Sequence, residues 1–268
     1  MTNDLTRPAR LIAAGAACLP LLWAGSANAQ QWGRLPTEQS SSADDDHVII
    51  GVGAGYAPSY QGADDYRVLP MPAIDVDVGP FYANLRNGVG IKAVDTGKIT
   101  LGGGVTVMPG YRSKDVPDGI GKLSIGVGGR LFASVNAGGV VATVGATKGF
   151  AGGTKGLLAD ASVSYPIPVT SRITVIPTVM TTWADSKYNN GYFGVSESQS
   201  LASGLSQFEM GSGFKDASAM LTVSYRMTDH IIVSASGGVT TLLGDVKDSP
   251  LVYHTTQPAG FMSVGYRF

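Results

Sequence analysis

Leu221-Thr222-Val223-Ser224-Tyr225-Arg226-Met227 puts an apolar residue at every odd position and a polar one at every even position, and the chain ends the same way, Met262-Ser263-Val264-Gly265-Tyr266-Arg267-Phe268. Side chains alternate between the two faces of a strand, so a period of two gives each segment one apolar and one polar face; a helix does not produce it. Lys122 to Leu131 repeats the pattern, with Leu123, Ile125, Val127 and Leu131 set against Lys122, Ser124, Gly126, Gly128 and Arg130. The arrangement reads as apolar outside and polar inside. The predicted fold is all-β, a closed antiparallel transmembrane β-barrel whose outer face meets lipid and whose inner face meets a polar lumen.

Following the alternation outward predicts strands near 47 to 57, 66 to 78, 81 to 87, 88 to 95, 98 to 109 and 122 to 135. A second set follows near 139 to 148, 157 to 167, 172 to 182, 216 to 227, 230 to 241 and 258 to 268. That makes about twelve strands, each close to the length that crosses a bilayer at barrel tilt. Asn87-Gly88 reads either as a turn or as a kink within one long strand, which leaves ten or fourteen strands open. Asn136-Ala137-Gly138-Gly139, Pro168-Val169-Thr170-Ser171 and Thr228-Asp229-His230 read as short periplasmic turns. Gly110 to Gly121, Trp183 to Lys215 and Leu242 to Gln257 read as outer loops, where function concentrates. Tyr56, Tyr66, Phe81, Tyr111, Phe132, Tyr165, Trp183 and Tyr225 fall near strand ends, as an interfacial girdle requires.

Composition agrees. Glycine supplies 37 of 268 residues and charged residues only 15%, against about 25% in an ordinary globular domain. An exported soluble sandwich of this size, the competing all-β reading, needs more Lys and Glu on its solvent face. The net charge of -1 and the lack of a basic stripe exclude a nucleic-acid footprint. At the N-terminus, Arg7 and Arg10 precede an apolar run from Leu11 to Trp23, and Ala27-Asn28-Ala29 offers a small-x-small cleavage site. Residues 1-29 are therefore expected to be a signal peptide, with export to the bacterial outer membrane. A lipoprotein signal at Cys18 is the rival, opposed by Gly15 three residues before it and the apolar Leu19 to Trp23 after it. Cys18 is the only cysteine and leaves with the signal, so no cysteine-based metal site or disulfide is expected. Residues 30-46, polar and aperiodic with Ser40-Ser41-Ser42 and Asp44-Asp45-Asp46, read as a flexible periplasmic leader, and 47-268 as the barrel.

Chemistry-bearing residues are sparse. The three histidines fall at the start of the first strand (His47), in a turn (His230) and in the last outer loop (His254), without metal-ligand spacing. His254 with Ser249 and Asp248 is the only serine-histidine-carboxylate grouping on the outer side; as loop neighbours these residues are expected to hydrogen-bond locally. Asp64 and Asp65 with Tyr60 and Tyr66 could hold a divalent cation or lipopolysaccharide-bridging ions at the rim, as could Asp245 and Asp248, although Gly62 and the aspartates are also ordinary turn residues. No cofactor is expected. The strand phases point Asp75, Asp77, Lys92, Lys122, Arg130, Asp160, Arg172, Arg226 and Arg267 into the lumen, where charges of both signs would pair and fill a narrow interior.

Four motifs in order resemble the MipA/OmpV family of outer-membrane proteins. They are Tyr60-Gln61-Gly62-Ala63-Asp64-Asp65-Tyr66-Arg67-Val68-Leu69-Pro70 with Asn87-Gly88-Val89-Gly90 after it, Tyr192-Phe193-Gly194-Val195 with Ser200 and Ser203-Gly204, Leu243-Gly244-Asp245 with Asp248-Ser249-Pro250, and the terminal Gly265-Tyr266-Arg267-Phe268. The resemblance covers nearly the whole mature chain. One departure is Ile231 after Thr228-Asp229-His230, where relatives commonly carry Trp. Tyr266 and Phe268 look like the terminal signal of substrates of the barrel-assembly machinery. The resemblance implies a non-enzymatic scaffold bringing a lytic murein transglycosylase and a bifunctional penicillin-binding protein together in peptidoglycan growth. A narrow pore for small solutes is the alternative, and a lipid-modifying enzyme a third, which needs a clustered triad. Outer-membrane lipid and lipopolysaccharide are the expected surroundings.

Overall fold

The computed structural model describes residues 46–268; the expected signal peptide and all of the leader but Asp46 lie outside the described residues. The chain forms β1 (His47–Pro58), β2 (Tyr66–Val78), β3 (Phe81–Asn84), β4 (Gly88–Asp95), β5 (Ile99–Met108), β6 (Gly126–Ala137) and β7 (Val140–Ala151). Then come β8 (Leu157–Ser164), β9 (Ile167–Pro168), β10 (Ile173–Ala184), β11 (Gly213–Arg226), β12 (Ile231–Leu242) and β13 (Thr256–Arg267). Every pairing is antiparallel between chain neighbours, β13 pairs β1 and β10 pairs β11, so the sheet closes on itself. The two-residue β9 continues β8 along β10 after an interruption at Tyr165-Pro166, which makes a closed barrel of twelve strands. Asn87-Gly88 belongs to a turn: residues 85–87 separate β3 from β4, and Asn84 pairs with Gly88.

The alternation decides which face is which. Val52 is 73% exposed and Leu131 72%, and both point outward with Val68, Val89, Val144, Val179, Leu221 and Val223. Bilayer contact for such side chains is worth about 1.5–3 kcal/mol each over leaving them in water. Met262, Val264, Tyr266 and Phe268 share this outer face. The inner face is filled by hydroxyls that bond across the ladder: Ser134 with Thr143 at 2.8 Å, Ser218 with Thr240 at 2.7 Å, and Thr222 with Ser236 at 2.9 Å. Each hydroxyl in these pairs satisfies its neighbour.

Both ends of the barrel, His47 and Arg267, lie at the rim that carries the short turns, and the long connections crowd the other rim. That is the short-periplasmic, long-outer asymmetry of such barrels. Four expectations change. Lys122 precedes β6 and is exposed in the outer loop, because β6 begins at Gly126 and only a single bridge, Tyr111 to Leu123, continues the pairing. Tyr111 is buried among the loops and Phe132 faces inward against Tyr82 at 5.4 Å, so neither joins the girdle. Arg172 sits in a turn and Arg226 at a strand end, both exposed at the periplasmic rim, not inside the lumen. The 183 to 215 stretch, expected as a loop, contains two short helices, α1 (Ser186–Phe193) and α2 (Glu197–Ser203). Asp185 caps the first through Tyr188 N–H at 2.7 Å, and Ser196 with Gln199 forms a capping box on the second.

Candidate functional site: a capped mouth above a bolted lumen

The outer loops fold over the barrel mouth into one apolar cap. Tyr60 and Ala63, Tyr111, Val116 and Ile120, Tyr188, Tyr192, Phe193 and Val195, and Val246 and Leu251 come from four different loops and share one buried cluster. Its centre is aromatic. Tyr192 stacks on Tyr188 at 5.8 Å, meets Tyr111 edge-on at 5.4 Å and tilts against Phe193 at 4.7 Å, while Tyr111 packs on Tyr60 at 5.8 Å. Polar atoms at the edge tie the loops together. Tyr60 Oη donates to Leu251 O at 2.9 Å, Gln61 N–H to Tyr192 Oη at 3.3 Å, and Ser249 Oγ to Phe193 O at 2.5 Å. Burial holds the phenols of Tyr60 and Tyr192 well above the usual tyrosine range and pushes Tyr111 up to about 12.

Gly62 is the pivot of the first loop. Its φ of +97 is open only to glycine at little cost, and a Cβ there would meet Val252 Cγ2 at 2.8 Å. Its N–H donates to Gln257 Oε1 at 2.9 Å, its carbonyl accepts from Tyr253 and His254 at 2.7 and 3.1 Å, and Gln257 Nε2 donates to Ala63 O at 2.6 Å.

Below the cap, charged bolts cross the lumen. Arg130 Nη1 and Nη2 donate to the two Asp160 oxygens at 2.7 and 3.0 Å, Nε donates to Asn87 Oδ1 at 3.1 Å, and Nη1 also to Thr147 Oγ1 at 3.1 Å. Both charged side chains are 0% exposed. Gly145 makes room: a Cβ there would lie 2.4 Å from Arg130 Nη2. Nearer the mouth, Lys215 Nζ donates to Gln61 Oε1 at 2.9 Å and to the Asp216 carboxylate, which also accepts from Gln61 Nε2 at 2.9 Å. Lys215 and Asp216 are consecutive yet both buried, because the register of β11 slips against Thr182 and Trp183. A bulge of this kind turns an extra residue inward. Arg86 at the β3–β4 turn reaches Ser162 on β8. At the periplasmic end His47 Nε2 lies 3.4 Å from Asp75 Oδ2, and Lys92 bridges Asp77 and Asp95 at 2.6 Å each. Among the described residues, one cavity of about 30 Å³ lies between the bolts and one of about 80 Å³ beneath them, the second bordered by Met71, Pro72, Ile74, Leu85 and Phe261.

The motif residues therefore divide. Tyr60, Gly62, Tyr192, Phe193 and Gly194 build the cap, where Gly194 ends α1 with its N–H on Asn190 O at 3.1 Å. Asp64, Asp65, Asp245 and Asp248 are exposed, and among the described residues no group of three His, Cys, Asp or Glu could hold a metal ion. Tyr66 stacks on Tyr56 at 5.3 Å on the outer rim. Tyr266 is stacked on His230 at 5.4 Å and edge-on to Phe268 at 4.9 Å at the opposite rim. His254 is exposed while Ser249 is buried on Phe193 O, so the loop grouping is not assembled as a triad. Gln61, Asn87, Lys215, Asp216 and Gln257 were not among the candidate site residues of the sequence reading. Gln61 and Asn87 had a signal there, inside the first motif and its Asn-Gly-Val-Gly sequel.

Comparison with known proteins adds the lineage. A family model described as MltA-interacting protein MipA matches residues 50–268. The outer membrane protein YiaT of Escherichia coli K12 is 25% identical over 115 residues, 43% of this chain and 46% of its own, so the chain spans about half the length of that curated relative. Among solved structures, an outer membrane channel from Pseudomonas putida F1 is similar with TM-score 0.47 and 11% identity, covering 87% of this chain and 100% of its own. The NanC porin gives TM-score 0.44 and 11% identity, covering 81% and 98%.

Proposed function

Because the chain belongs to the MltA-interacting protein MipA family, we propose that this outer-membrane barrel is a non-enzymatic scaffold, holding murein-synthesising and murein-cleaving enzymes together at its periplasmic rim during peptidoglycan growth. The observation that carries the reading is the basic rim. Arg172 before β10 and Arg226 at the end of β11 lie on adjacent strands, and Arg267 at the end of β13 lies one strand further on, beyond β12 and the turn that carries Asp229, with Arg226 N–H on Arg172 O at 2.8 Å and Arg267 N–H on His230 O at 2.7 Å. Such a patch suits an acidic partner surface and steers its approach. The closed lumen supports the same reading, since a barrel that is capped and bolted works through its surfaces.

The test is co-purification of the detergent-extracted barrel with a lytic murein transglycosylase and a bifunctional penicillin-binding protein. Replacing Arg172 and Arg226 by Glu is expected to abolish both associations while heat-modifiable gel migration stays unchanged. Undiminished association refutes the rim as the contact. Deleting residues 30–46 asks the same of the leader.

A second reading, a narrow gated pore for small solutes, draws on the charges of both signs that line the lumen. Single-channel recording in a planar bilayer separates the two: the scaffold reading expects no conductance, and discrete openings would favour the pore.

A further inference from the structure

The wall of this barrel is incomplete on one side. β2 runs from Tyr66 to Val78, but β3 pairs only with its stretch from Asp75 to Val78; from Tyr66 to Ile74 the register partners of β2 all lie on β1. Across the gap, β4 accompanies β5 only as far as Val105, and Thr106 to Met108 pair with β6 alone. The residues that would carry the hairpin higher in the wall stand inside the barrel instead. Leu85 packs on the buried cluster of Ala57, Leu69, Met71 and Phe261, Arg86 reaches Ser162 and Asn87 accepts from Arg130. At the mouth, Arg67 Nη1 bonds Asp115 Oδ2 at 3.1 Å and joins the two sides again. What lies between is a window, with Val68, Pro70, Pro72 and Ile74 along one edge and Val105 and Val107 along the other.

The window sits at membrane depth. Val78 to Val68 is ten residues, which at about 3.3 Å each and a tilt of about 40° spans about 25 Å, the height of the apolar band. Phe81 is exposed at the lower limit and the Tyr56–Tyr66 stack marks the upper one. An open strand edge at that depth invites a partner strand, and this edge is built against one. Lys92 N–H bonds Pro80 O at 2.7 Å, so Phe81 turns its backbone groups to Val78, and the even-numbered residues of β2 direct theirs toward β3 and, above it, toward the window. Pro70 and Pro72 fall in that phase and bring no N–H. The edge keeps its carbonyls, the milder orphans, and loses at Pro70 and Pro72 the two central donors that strand addition would use, with Val68 and Ile74 retaining theirs on either side.

We propose that the window admits the end of an acyl chain of an outer-membrane lipid, which enters beside Pro72 and Ile74 into the cavity of about 80 Å³ lined by Met71, Leu85 and Phe261. The opening is continuous with the lipid-facing band, its floor is apolar, and the capped mouth closes the route from outside. The inference rests on the barrel's place in the membrane and is independent of the scaffold reading.

The unmodified protein, reconstituted in liposomes whose phosphatidylcholine carries a photoactivatable diazirine near the end of one acyl chain, tests it. After irradiation, lipid adducts mapped by mass spectrometry are expected on the inward-facing Met71 and Leu85 as well as on the outward-facing Val68, Val89 and Val105. Adducts confined to the outward residues overturn the proposal. That is also the result if a second protein's strand, or the chain's own N-terminal segment, fills the window and shields Met71 and Leu85.

Discussion

Removing the Asp160 carboxylate should be the most damaging single change in the lumen. Asp160→Ala leaves the Arg130 guanidinium with only Asn87 and Thr147 as acceptors in a site where both charged side chains are 0% exposed. Breaking a buried pair from one side strands the remaining charge, at a cost of about 3–5 kcal/mol. Arg130→Met should cost a similar amount by removing the opposite charge that both Asp160 oxygens accept from. The paired change, Arg130→Met with Asp160→Leu, should cost less than either alone, about 1–3 kcal/mol, because neither charge of the pair is left and what is lost is the hydrogen bonding of neutral partners such as Asn87 and Thr147. Urea unfolding in lipid vesicles, followed by the loss of heat-modifiable gel migration, gives the three free energies and the coupling between the sites. Simple additivity of the two single losses, or a cost below about 1 kcal/mol for Asp160→Ala, would refute the reasoning. Either result would mean that water reaches the pair and screens it.

Four further outcomes are expected. Tyr192→Ala removes the ring on which Tyr188, Tyr111 and Phe193 pack and the oxygen that accepts from Gln61, so it should destabilise the cap by about 3–5 kcal/mol, read as new protease cleavage within residues 185–212 of the assembled barrel. Gly62→Ala should open the same cap more mildly, by about 1–3 kcal/mol, since its φ of +97 disfavours any side chain. The buried phenol of Tyr111 titrates near 12 in the folded cap against 10.0 when exposed; its contribution is fully present below pH 10 and is lost as the pH rises through 12, so loop proteolysis should increase across that window. Onset already at pH 8 would remove Tyr111 as the cause. Deleting Phe268, 74% exposed on the terminal strand, should lower the heat-modifiable fraction recovered from the outer membrane, with unchanged recovery counting against a role in assembly.

The period-two pattern was enough to define the barrel. Along β2, β11 and β13 it set the lipid face and the lumen face, because a strand buried between two unlike solvents must alternate and a one-residue slip would invert every side chain. It located the strand ends to within a few residues in most cases, and it placed Arg130 and Asp160 inside together, since both lie in the polar phase. The pattern failed where pairing stops. Lys122 kept the alternation without a strand to sit in, as Gly110 to Ile125 leaves the wall and only Tyr111 and Leu123 still bridge. Nothing periodic marks the cap, whose residues are 60, 111, 192 and 251 in the chain and meet only because four loops share one rim. Lys215 beside Asp216 reads as one inward and one outward residue, and a bulge alone turns both inward. The window has no local signature beyond Pro70 and Pro72: whether a short hairpin stands in the wall or leans into the lumen depends on Ser162 and Arg130, more than forty positions away from Arg86 and Asn87 in sequence. Alternation is a property of neighbours along the chain, whereas the cap, the bolts and the window are made of contacts between strands and loops that only closure of the barrel brings together.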